Sequence, residues 1–77
     1  MPTIIKTSVL TEVQAELTRA VLSFPPFHSA HEGYAILLEE VDELKYEVFH
    51  GDPAKARAEA IQVAAMAIRF ILDTDPA

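Results

Sequence analysis

The chain has 77 residues, 51% of them hydrophobic and 23% charged, with 12 acidic against 6 basic side chains and a net charge of −6. That length allows one domain, residues 1–77, close to the size at which a single core barely offsets chain entropy, and with no cysteine neither a disulfide framework nor a thiolate metal site can reinforce it. The acidic balance excludes unassisted binding to a nucleic acid polymer, which needs clustered Lys and Arg, and no apolar run approaches the roughly 18 residues of a membrane span. Residues 1–6 lack the apolar core of a secretory signal and no lipidation motif is present, so the expected compartment is the cytoplasm. So apolar a short chain is expected to place part of its surface against another subunit, as a homodimer or homotetramer.

A first helix is predicted from about Ser8 to Ser23, where Leu10, Val13, Leu17, Ala20 and Val21 recur every three to four residues. Pro25 and Pro26 end it, because each lacks an amide donor and biases the residue before it away from the helical region. Ser29-Ala30-His31-Glu32 reads as a capping box, placing the start of a second helix near Ala30. Gly51 suits the left-handed residue after that helix, Asp52 the next N-cap, and Pro53 the first position of a third helix running to about Asp73. The expected fold is therefore all-α, with three helices and a tight hairpin between the second and third. The third helix carries Ile61, Ile68 and Leu72 on one side and Val63, Met66 and Phe70 nearly opposite, so it needs neighbours on both. Three helices are expected to cover one side well and to complete a four-helix core by assembly.

Chemistry is concentrated in Glu39-Glu40-Val41-Asp42-Glu43 and, after fifteen intervening residues, Glu59-Ala60-Ile61-Gln62. Leu37, Val41, Leu44 and Val48 form an apolar stripe on the second helix, with Glu40 at its border and Glu39 and Glu43 further round. Glu43 lies eight residues before Gly51 and Glu59 eight after it, so an antiparallel hairpin sets them level, about 12 Å from the turn at roughly 1.5 Å per residue. Glu59 and Gln62, i,i+3 neighbours, would then face Glu40 and Glu43. Lys45 alone among these acids carries positive charge, and like charges so placed repel unless a cation joins them. Oxygen-only ligands suit Mg²⁺ or Mn²⁺ rather than zinc. Spacing alone leaves open the other reading of a charge run, a solvated helix face.

The Glu-Glu-x-x-Glu motif, the gap after it and the Glu-x-x-Gln at 59–62 resemble the MazG-like all-α nucleoside triphosphate pyrophosphohydrolases, in a short, phage-type form. The stretches His31–Leu44 and Gln62–Phe70 carry the likeness, which extends from about residue 8 to 73. The resemblance implies Mg²⁺ held by Glu40, Glu43, Glu59 and position 62, with Glu39 a further ligand or the residue that orients water. Glu39 or Glu43 would act as general base, and the products would be a nucleoside monophosphate and pyrophosphate. Position 62 departs from the family pattern, which has aspartate there. The Gln62 amide oxygen can ligate Mg²⁺ but adds no charge and accepts no proton at neutral pH. This departure sustains a rival expectation, a non-catalytic oligomeric module with a degenerate acidic site.

His28, His31 and Tyr34, near Phe24 and Phe27, could contact a base or phosphate of a nucleotide. They are equally readable as a polar helix start beside aromatics that staple the first helix to the hairpin. Glu47-x-x-His50 has the di-iron spacing but occurs once, without matching inward glutamates. Lys55, Arg57 and Arg69 are expected at the solvated surface, with Arg69 also favoured by the dipole of its own helix end.

Overall fold

The computed structural model describes residues 3–76; Met1, Pro2 and Ala77 lie outside it, so the reading of residues 1–6 as free of a secretory signal falls partly on undescribed chain. Three helices follow in order: α1 (Thr7–Ser23), α2 (Ala30–Phe49) and α3 (Pro53–Asp73), with no strand among the described residues. Local chemistry sets their limits. The Ser29 hydroxyl accepts from the Glu32 amide at 3.1 Å, while the Glu32 carboxylate accepts from the His28 amide at 3.2 Å, one residue earlier than in a standard capping box. Asp52 accepts from the Lys55 amide at 3.0 Å, and Gly51 takes φ +72°, where a β-carbon would be strained. No helix among the described residues is long and apolar enough to cross a membrane.

Helix α3 is the centre of the molecule, packed on α2 along the hairpin and on α1 at its other side, while α1 and α2 do not pack on each other. Its two apolar stripes divide accordingly: Ile61 borders the groove shared with α1, and Phe70 packs at Gly33 of α2. The deepest strip lies between them, at Ala65, Met66 and Arg69. Part of the demand for neighbours on both sides, assigned from sequence to a second subunit, is thus met within the protomer. Ile68, Ile71 and Leu72 remain exposed.

On α2 the structure corrects the predicted facing. Val41 and Val48 are exposed, and the side turned inward is centred on Gly33, Leu37, Glu40 and Leu44. Glu40 therefore sits within the packed face rather than at its edge. Gly33 sets this rotation, because a β-carbon there would lie 2.8 Å from the rings of both Phe27 and Phe70. Gly33→Ala is expected to lower the urea unfolding midpoint by about 1 kcal/mol of stability, overpacking outweighing the gain of about 1 kcal/mol that alanine brings to an open helical site.

Arg69 is the second correction, being 3% exposed rather than solvated. It donates to the carbonyls of Ala20 at 3.1 Å, Phe24 at 2.7 Å and Pro25 at 2.6 Å, and to the Asp73 carboxylate at 3.2 Å. The same Asp73 oxygen accepts from the Phe27 amide at 3.0 Å, and the guanidinium lies 5.2 Å from the Phe27 ring centre. One cation so caps the negative end of α1 and holds the proline turn onto α3. Arg57, by contrast, stays at the surface as expected and pairs with Glu12 of α1 at 2.6 and 2.9 Å.

Candidate metal centre

The hairpin register brings Glu40 and Glu43 of α2 against Glu59 of α3, with one oxygen from each carboxylate within 4.8 Å of the others. Oxygens bound to one Mg²⁺ at about 2.1 Å lie roughly 3–4 Å apart, so small side-chain rotations bring this triad to a single ion. Glu40 and Glu59 are half-buried and Glu43 is exposed. Among the described residues no basic group pairs with any of the three: Arg19 pairs with Glu16, Arg57 with Glu12, Arg69 with Asp73, and Lys45 extends over the Phe49 ring.

Burial, followed by the charges of Glu43 and Glu59, raises the Glu40 carboxyl to about 7. Glu59 is also raised, first by burial and then by its hydrogen bond and repulsion with Glu43, and its Oε2 is buried without a hydrogen-bond partner. A buried carboxylate oxygen with no donor is costly in a folded chain and is what a metal ligand looks like without its ion. The donor set fits Mg²⁺ or Mn²⁺: hard carboxylate oxygens on two rigid helices, open to solvent at Glu43.

Next to the triad is a cavity of about 380 Å³ that all three helices line. Its lining combines polar side chains, Glu39, Glu40, Gln62 and Arg19 among them, with apolar ones such as Phe24, Phe27, Ile36 and Met66. Glu39 thus borders the cavity without joining the three converging oxygens. Gln62 also borders it, near enough to Glu16 of α1 to help lower that carboxyl. His28, His31 and Tyr34 are exposed at the start of α2 and none of them lines the cavity; His28 pairs with Glu32 at 3.3 Å. His50 of the Glu47-x-x-His50 sequence is turned to its own helix, 2.7 Å from the Tyr46 carbonyl and stacked on the Tyr46 ring.

Two residues of this site were not singled out from sequence. Glu16 reaches Gln62 and adds to the repulsion on Glu40, and Arg19 stands on the cavity wall. A signal for Glu16 existed: at 100° per residue it falls about 40° from Ala20 on the first helix, at the edge of the apolar stripe. Comparison of the chain with protein-family models, curated proteins and solved structures finds no match.

Proposed function

We propose that this protein is a Mg²⁺-dependent nucleotide pyrophosphohydrolase that cleaves a nucleoside triphosphate to a nucleoside monophosphate and pyrophosphate. The observation that carries the reading is the convergence of Glu40, Glu43 and Glu59, unpaired with any base, beside a cavity lined by both polar and apolar side chains. The motif resemblance to MazG-like enzymes points the same way. Glu40, Glu43 and Glu59 would hold the ion, with Gln62, one turn beyond Glu59 on α3, as a further oxygen ligand. Bound there, Mg²⁺ supplies charge neutralisation at the phosphates and alignment of the attacking water. Glu39, exposed at the cavity rim, accepts the proton of that water, and the apolar wall of Phe24, Phe27 and Met66 excludes solvent and seats the base.

The exposed apolar residues Leu38, Val41 and Val48 of α2 and Ile68, Ile71 and Leu72 of α3 support assembly as a homodimer or homotetramer, which sedimentation equilibrium measures directly. One observation favours a second reading, a non-catalytic oligomeric module: the residue in the family's aspartate position is Gln62, whose neutral amide brings no charge to an ion. Pyrophosphate release from a panel of ribo- and deoxyribonucleoside triphosphates, with and without Mg²⁺, separates the two. Metal-dependent release is expected, reduced at least about 100-fold in Glu43→Gln and Glu59→Gln proteins that still fold. Absence of turnover across the panel leaves the module.

A further inference from the structure

We propose that Arg19, presented by α1, is the phosphate-binding residue of this site and reaches the phosphates of a substrate held at the carboxylates of α2 and α3. The inference rests on the hydrolase reading above and extends it to a helix that the acidic motifs do not touch.

Charge makes the case. The cavity and the adjoining triad carry Glu32, Glu39, Glu40, Glu43 and Glu59, and one divalent ion offsets only part of that before a polyanionic triphosphate enters. A second source of positive charge is needed in the cavity. Two guanidiniums line the cavity. Arg69 is buried, and each of its nitrogens already donates to Asp73 or to the carbonyls of Ala20, Phe24 and Pro25, so it is committed to holding the turn. Arg19 is different: its side chain is 56% exposed, it pairs with Glu16, an i,i+3 neighbour on the same helix whose side chain is 15% exposed, and it also feels the charge of Glu40. Because the guanidinium itself stays open to solvent, it can turn to a phosphate without being drawn out of a packed site. The planar fork of arginine matches phosphate oxygens in pairs, and Glu16 keeps it on the cavity wall until they arrive. Arg57, the next cation on this side, lines the neighbouring groove between α1 and α3 and is held to that groove by Glu12.

The test compares wild type, Arg19→Ala and Arg19→Lys on a triphosphate that the wild type turns over, together with calorimetric titration of pyrophosphate in the presence of Mg²⁺ and of Mg²⁺ alone. The expected result for Arg19→Ala is a rise in KM of about tenfold or more with kcat nearly unchanged, and a matching loss of pyrophosphate affinity. Binding of Mg²⁺ alone is expected to stay the same, and Arg19→Lys to recover part of the loss by charge without the fork. Wild-type turnover with an unaltered KM and unaltered pyrophosphate affinity in Arg19→Ala overturns the assignment of Arg19 and leaves the hydrolase standing. A wild type that turns over no triphosphate removes both.

Discussion

Arg69→Met is expected to lose about 3–5 kcal/mol of stability, read as a fall in the urea unfolding midpoint. Methionine fills a similar volume, so the loss arises from what is left behind. The Ala20, Phe24 and Pro25 carbonyls each lose a charged donor, and the half-buried Asp73 carboxylate loses its counter-ion. A domain of this size has only about 4–12 kcal/mol in total, so a large share of it depends on one side chain. Arg69→Lys is expected to recover only a fraction, because a single ammonium cannot span three carbonyls and a carboxylate. Arg69 also lines the cavity with Glu40 and Gln62, so loosening the Phe24–Phe27 turn is expected to alter the shape of that cavity in whatever protein still folds. A midpoint within about 1 kcal/mol of wild type would show that solvent takes over these bonds and that the latch is not what holds α1.

How far the chain discloses this arrangement differs from element to element. The helix limits are local matters of Ser29, Glu32, Gly51, Asp52, Pro53 and two prolines, and the sequence reading placed them within a residue or two of Thr7–Ser23, Ala30–Phe49 and Pro53–Asp73. The meeting of Glu43 with Glu59 was legible because a tight hairpin fixes register by counting outward from Gly51, and the carboxylates do converge. The rotation of α2 was not. It depends on Gly33 admitting two rings, and a pattern of apolar letters points to Val41 and Val48 instead. Arg69 failed for a related reason: it shares the helical face of Gln62, Met66 and Asp73, so its position pointed inward while its residue type pointed outward. The carbonyls it holds lie 44 to 49 residues away, beyond any local pattern. Arg19 and Glu16 went unweighed because their relevance exists only once α1 is laid beside α3.

The strongest expected response to solution conditions comes from Glu40. Its carboxyl is raised from an ordinary 4.5 to about 7 in the folded, ion-free protein, chiefly by burial. Between those values the folded chain holds a proton that the unfolded chain has released, so ion-free stability falls as pH rises from about 4.5 to about 7 and levels off above. Glu59, raised as well, steepens the same fall. Because Glu40 is only partly buried, solvent screening reduces the loss to on the order of 1–2 kcal/mol. Mg²⁺ needs these carboxylates deprotonated, so its binding should release protons and stabilise the fold more at pH 8 than at pH 5, by about 2.7 kcal/mol at a hundredfold excess over Kd. Glu40→Gln separates the causes. Removing the strained charge should raise ion-free stability at pH 8 and flatten the pH slope, while the response to Mg²⁺ and the hydrolysis both fall away. Acidic side chains that merely solvate a helix would behave differently: a Glu40→Gln protein whose melting temperature still climbs with Mg²⁺ as steeply as wild type would mean that the ion is held elsewhere.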